Sequence, residues 1–170
     1  PDFEEFVKFY PEVYDAAKAA SPHTKVFTIF QLEKMKGQNG GLFGGANGQS
    51  KAQWLMLEKF PKSDLIAFTT YPGLIYKSPS EIPADYYSEI KQKTQKPIAI
   101  IESGWPSFSE IQGYESNEEK QSEFASLLIK ISSEIKPEFV VWSFLYDQDA
   151  QIPFNTMGLI SKDGKEKSAW

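Results

Sequence analysis

Lys96-Pro97-Ile98-Ala99-Ile100-Ile101-Glu102-Ser103-Gly104-Trp105-Pro106-Ser107 decides how the rest of the chain is read. The unbroken apolar run from Ile98 to Ile101 predicts a strand buried on both faces, the kind found in parallel sheets. A carboxylate closes the run, where loss of hydration is costly unless the group is paired or at work. Gly104 and Pro106 then turn the chain. Because strand side chains alternate, Ile98, Ile100 and Glu102 are expected on one face, lining an interior with Glu102 at its C-terminal mouth.

Three further runs share this character: residues 25–31 (KVFTIFQ), 64–71 (DLIAFTTY) and 138–146 (EFVVWSFLY). Helical spacing separates them. Residues 2–20 place Phe3, Phe6, Val7, Tyr10, Val13, Tyr14 and Ala17 on one stripe behind a candidate N-cap, Asp2. Residues 51–60 and 83–94 predict two shorter helices, and residues 118–135 a long one with Phe124, Leu127, Leu128, Ile131 and Ile135 on one face. Residues 157–170 predict a short hairpin or loop leading into an abbreviated helix. The four strands begin near residues 25, 64, 97 and 138, in steps of 39, 33 and 41. A full (β/α)8 barrel uses about 31 residues per unit. Four units therefore suit half a TIM barrel or a small doubly wound sheet, and periodicity does not separate them.

Composition narrows the function. The chain has 170 residues, 41% hydrophobic and 15% aromatic, the profile of one domain spanning 1–170 with a core or a ligand surface rather than a disordered chain. Its net charge is −5, and all 18 basic residues are Lys, which argues against nucleic acid as a partner. No apolar run approaches the length needed to span a membrane. Cysteine is absent, which removes disulfides, thiol chemistry and Cys-based metal sites but leaves the compartment undecided. With a single histidine, a Ser-His-Asp triad or a multi-His metal site would have to be built around His23.

In either architecture function gathers where strands end. The strand ends bring Gln31, Tyr71, Glu102, Trp105 and Trp142 toward one rim. Aromatic faces beside a carboxylate and amides suit a sugar, with its apolar C–H face and polar edge. Weaker features take ordinary readings. The glycine-rich stretch 37–48 matches no phosphate-binding pattern and reads as a rim loop. Glu33 with Lys34, and Asp147 with Asp149, read as solvated charges; His23 reads as a solvent-facing turn residue, and Trp54 as helix-to-sheet packing.

The segment around Glu102 resembles the seventh strand of clan A glycoside hydrolases, retaining enzymes on a TIM barrel, and most of all their endo-β-1,4-galactanase-like and endo-β-1,3-glucanase-like families. Ala67-Phe68-Thr69-Thr70-Tyr71-Pro72 resembles the sixth strand, Val140-Val141-Trp142-Ser143-Phe144 the eighth, and Gly158-Leu159-Ile160 with Asp163-Gly164-Lys165 the tail toward the last helix. The resemblance implies an α/β fold, the C-terminal half of a (β/α)8 TIM barrel (strands five to eight), acting on a β-linked oligo- or polysaccharide, with extracellular location as its corollary. Glu102 is then the nucleophile, Tyr71 its hydrogen-bond partner, Trp142 the sugar platform, with Trp105 a weaker platform and Gln31 a substrate contact, and the implied mechanism needs no metal and no organic cofactor. The family's acid/base Glu follows an Asn at the end of the fourth strand, and no such pair ends a strand here; Asn117-Glu118 precedes a helix. The N-terminal half barrel is thus expected to be missing from this chain, which alone should self-associate, most simply as a dimer, and be inactive or nearly so. Two other readings stay open: a catalytically silent carbohydrate-binding protein on the same fold, and a flavodoxin-like binding module.

Overall fold

A computed structural model describes residues 2–44 and 48–170. Gly45, Ala46 and Asn47 of the glycine-rich stretch lie outside the described residues. The chain opens with helix α1 (Phe3–Ala20), whose N-cap Asp2 accepts the Glu4 N–H at 3.1 Å. Strand β1 (Thr28–Gln31) runs directly into a single turn, α2 (Leu32–Met35). A two-residue antiparallel ladder, β2 (Gln38–Asn39) with β3 (Gly48–Gln49), brackets the glycine-rich stretch. Strand β4 (Ile66–Thr70), the turn α3 (Ile90–Lys93), strand β5 (Ile98–Ser103) and helix α4 (Glu118–Ile135) complete the regular elements.

Strands β1, β4 and β5 form a parallel sheet in that order. Residues 138–143 continue it beyond β5 through a bridge between Ile100 and Val140 and through Ser143 N–H to Ser103 O at 2.9 Å. The spatial order therefore follows the chain order. A doubly wound sheet reverses its strand order at a switch point, and these four segments do not. The predicted fourth strand is a single bridge with a few ladder bonds, because from Phe144 onward its backbone pairs with the tail: Ile160 N–H reaches Leu145 O at 2.8 Å and Asp147 N–H reaches Ile160 O at 2.9 Å.

One face of the sheet carries Phe30, Ile66, Phe68, Ile98 and Ile100 into the main core with Phe60, Tyr86, Tyr87, Phe124, Leu128, Ile131 and Ile135. On α4 the spacing of the last four residues is the stripe read from the sequence, and the helix is capped by the Asn117 side chain on the Lys120 N–H at 2.9 Å. The opposite face holds Leu65, Ala67 and Ala99 with Phe27 and Ile101, and leaves Ile29, Phe139 and Val141 53%, 40% and 42% exposed. The expectation that Ile98 and Ile100 line the interior with Glu102 is therefore corrected: both face the helices.

The reason is a β-bulge. Pairing runs Phe68 with Ile100 and then Thr69 with Glu102, so Ile101 is an extra residue in β5. Ile101 packs with Ala67 and Ala99, and Glu102 stands level with Thr69, two residues along from Ala67. The bulge inverts the alternation and turns the carboxylate to the face away from the helices.

The two short helices also differ from expectation. Residues 51–60 form a 3-10 turn over Trp54–Lys59, and residues 83–94 keep regular α geometry only at α3. Tyr86 and Tyr87 are consecutive and both buried, their rings edge to face at 4.8 Å. One stripe of a regular helix does not bury two adjacent tyrosines, and tertiary packing overrides helix propensity. The tail does form a hairpin, Ile160 opposite Glu166, with Gly164 at φ 86°, a conformation that favours glycine.

Two polar clusters tie the elements together. Asp64 accepts from Lys18 at 2.7 Å, Tyr14 at 2.9 Å and the Val26 N–H at 2.8 Å, joining α1 and the approach to β1 to the approach to β4. Burial alone would push this carboxyl up, but the ammonium and the two other donors outweigh it and hold it down to about 2. Lys167, 6% exposed at its side chain, meets Asp147 at 2.5 Å, Ser107 Oγ at 2.8 Å and Gly158 O at 2.9 Å, clasping the tail to the loops after β5 and residue 146. Asp147 is thus paired, not solvated, while exposed Asp149 pairs with Lys162.

A carboxyl depressed in the folded state stabilises the protein above its unfolded value, and that stability is lost as pH falls toward the folded value. Between about pH 4 and 2, Asp64→Asn should therefore flatten the acid limb of a stability profile measured by urea unfolding. Lys167→Met leaves the partly buried Asp147 carboxylate with the Gly158 N–H but without its ammonium, and should cost about 1–3 kcal/mol in the same assay near neutral pH.

Candidate active site

Across the C-terminal end of the sheet, the pairing register sets Gln31 beside Thr69 and Thr69 beside Glu102. At strand spacing, Gln31 and Glu102 stand about 10 Å apart in one row. Gln31 is half-buried and the Glu102 residue is exposed.

Tyr71 follows β4 and donates its phenol O–H to Glu102 Oε2 at 3.1 Å. Its ring is buried and meets Phe154 edge to face at 5.3 Å. The phenol oxygen also lies 2.8 Å from Ser143 Oγ, which in turn lies 3.0 Å from Ser103 O. Two hydroxyl protons serve these three contacts. With the Tyr71 proton on Glu102, Ser143 donates either to the Tyr71 oxygen or to the Ser103 carbonyl. Burial pushes the Tyr71 phenol up; Ser143 opposes this, and Glu102 adds to it, with the net at about 12. Tyr71 is therefore a neutral donor throughout the working pH range of most proteins.

The tryptophans stand elsewhere. Trp105 is 2% exposed, tilted against Phe124 at 5.4 Å, with its indole N–H on Ser116 Oγ at 3.0 Å. A Cβ at Gly73 would lie 3.1 Å from the indole ring, so glycine there lets the indole close down on the Pro72-Gly73 turn. Trp105 presents no open face for a sugar, which corrects its platform reading. Trp142 donates its indole N–H to Met157 O at 2.8 Å and packs on Phe124 at 5.9 Å, on the helix side of the sheet. The next residue, Ser143, is the one that reaches Tyr71. Strand alternation sends one of this adjacent pair to each face, and the apolar run gave no cue to which.

Glu33 is the larger departure from the sequence reading. It is 0% exposed rather than solvated, and its Oε1 accepts from Thr70 Oγ1 at 2.9 Å, the Tyr71 N–H at 2.9 Å and the Tyr86 hydroxyl at 2.8 Å. Burial pushes this carboxyl up, against the downward pull of its donors. Its neighbour Lys34 does reach solvent, near Asn39 and the Phe43 ring. His23 is exposed, as read, and Trp54 packs on Phe68 with its N–H on Glu89 at 3.1 Å. Among the described residues, no group of three or more His, Cys, Asp or Glu could hold a metal ion, and no helix is long and apolar enough to cross a membrane.

No family model and no curated protein matches the sequence. Solved structures do match. The β-1,3-glucanosyltransferase of Rhizomucor miehei, solved as an active-site mutant with laminaritriose, superposes with a TM-score of 0.66 at 14% identity, over 99% of this chain and 57% of that one. A β-glucuronidase of Lactobacillus rhamnosus gives 0.63 at 15% identity, over 98% of this chain and 28% of that one. A GH128 (subgroup II) endo-β-1,3-glucanase of Sorangium cellulosum gives 0.59 at 16% identity, over 94% and 57%. The chain thus spans little more than half the length of the glucan-active neighbours and about a quarter of the glucuronidase.

Glu102→Gln should lower the titration of Tyr71 from about 12 toward the ordinary phenol value, because it removes the negative charge from the phenol's acceptor. Tyrosine ring-carbon NMR across alkaline pH, with Tyr71→Phe to assign the signal, reads this directly. What the chain shares with its structural neighbours is their fold, the α/β arrangement of TIM-barrel glycoside hydrolases.

Proposed function

We propose that residues 1–170 form the C-terminal half of a (β/α)8 barrel, strands five to eight, that hydrolyses a β-linked polysaccharide with retention of configuration. The observation that carries the reading is the exposed Glu102 carboxylate at the end of β5, held by the Tyr71 phenol at 3.1 Å. The sequential parallel order of the strands and the glucan-active structural neighbours support it.

In this reading Glu102 attacks the anomeric carbon, the glycosidic C–O bond breaks, and a glycosyl-enzyme forms that water cleaves. Tyr71 keeps one carboxylate oxygen hydrogen-bonded, so that the other is presented to the sugar. Gln31 and Thr69 extend the row along which the sugar lies. Retention needs a second carboxyl group about 5–5.5 Å from the first. Glu33, the other carboxylate touching Tyr71, is sealed from solvent and engaged by three donors, so it is no proton donor to a leaving group. We assign the acid/base to the part of the barrel that the neighbours possess and this chain does not span. The exposed Ile29, Phe139 and Val141 are the surface which that part, or a second copy of the chain, covers.

In the intact protein, Glu102→Gln should reduce turnover of aryl β-glycosides and β-1,3-gluco-oligosaccharides about a thousandfold or more while leaving the far-UV circular dichroism unchanged. A 2-deoxy-2-fluoro aryl glycoside should add its glycosyl mass to the peptide containing Glu102. Normal turnover in a folded Glu102→Gln protein, or labelling elsewhere, removes Glu102 from the nucleophile role.

A further inference from the structure

Tyr71 sits at a break in the backbone. β4 ends at Thr70, and Tyr71 adopts φ −130°, ψ 72°, leading into the turn Pro72–Leu74. The strand no longer dictates its direction, yet its ring must point at Glu102. Glu33 arrives there from β1 by way of α2. A single carboxylate oxygen takes the Tyr71 N–H, the Thr70 hydroxyl and the Tyr86 hydroxyl, while the other, Oε2, is buried without a hydrogen-bond partner among the described residues. A purely space-filling side chain would do without such a costly group. Two of the three donors it collects are those of the last strand residue and of the residue that holds Glu102.

We propose that Glu33 is a positioning residue: by gripping the Tyr71 N–H and the Thr70 hydroxyl, it fixes the Tyr71 phenol against Glu102. Its bearing on turnover rests on the nucleophile reading of Glu102; its bearing on the Tyr71–Glu102 contact does not. Glu33 touches no substrate and acts through Tyr71.

The test is a double-mutant cycle in the intact protein, read as the Tyr71 titration by ring-carbon NMR. In the wild type, Glu102→Gln lowers that titration. Glu33→Gln keeps an acceptor oxygen in place, and Glu102→Gln should still lower it. Glu33→Met fills the volume without an acceptor, and there the effect of Glu102→Gln should vanish. Each comparison is made within one Glu33 background, so the direct loss of the Glu33 charge cancels. If the Met protein does not fold, Glu33→Asp, which withdraws the acceptor by one methylene, carries the same two outcomes. An undiminished Glu102→Gln effect in the Met or Asp background overturns the proposal. With active enzyme, kcat should fall about a hundredfold in Glu33→Met with KM little changed, and recover in Glu33→Gln. Should Glu102→Gln leave turnover intact, the nucleophile reading fails while the titration cycle still decides the role of Glu33.

Discussion

A carboxyl group out of reach of water has to be met by donors, and the C-terminal end of this sheet is organised by that requirement at Glu33. Its three donors come from the end of β4, from the residue beyond it and from the segment before α3. The end of β4 and the segment before α3 are thereby joined to α2 at one oxygen atom. The aromatic packing follows: Tyr86 is placed edge to face with both Tyr76 and Tyr87. Tyr71 is placed between Phe154 and Ser143, which commits Ser143 and the loop that follows it as well. The rim is one connected polar and aromatic network rather than a set of side chains that happen to meet.

Much of the scaffold was legible in the sequence because burial on both faces leaves a plain mark. The runs around Phe30, Phe68 and Ile100 are strands, and the stripe from Phe124 to Ile135 is a helix packed on them. Side-chain direction was far less legible. Alternation works only while a strand stays regular, and one extra residue at Ile101 reverses it for Glu102. Trp142 and Ser143 are adjacent, so assigning the wrong one to the rim needed an error of only one position. Glu33 looked solvated because a charged residue beside Lys34 normally is; its donors lie 37 to 53 residues away, and no local pattern announces them. Trp105 shows the converse error. A tryptophan after a strand-end glycine reads as a ligand surface, but Gly73 and Phe124 leave room for it in the core.

At 14–16% identity, the shared architecture with the glucan-active and glucuronide-active enzymes rests on pattern rather than on particular residues. What must persist is a parallel sheet in chain order with one face under helices. The other face is thinly furnished here. Leu65, Ala67 and Ala99 are buried by Phe27 and Ile101, while Ile29, Phe139 and Val141 stay open to solvent. A sheet with this division of labour gains most of its hydrophobic stabilisation from the helix side, which leaves the side chains of the other face freer to vary.

The bulge at Ile101 has a meaning in the language of reading frames. A strand with strict alternation ties every side chain to every other: a carboxylate two residues beyond Ile100 would have to share its face with the packing residues. The additional residue breaks that tie, so the first part of β5 can vary to suit α4 while Glu102 keeps its own outlook. Excision of Ile101 alone would restore regular alternation and still leave the acid level with Thr69 on the face away from the helices, whereas a regular strand that kept Ile101 would carry the acid to the helix side. What the inserted residue adds to the frame is an apolar side chain set beside the acid on its own face, packed with Ala67 and Ala99.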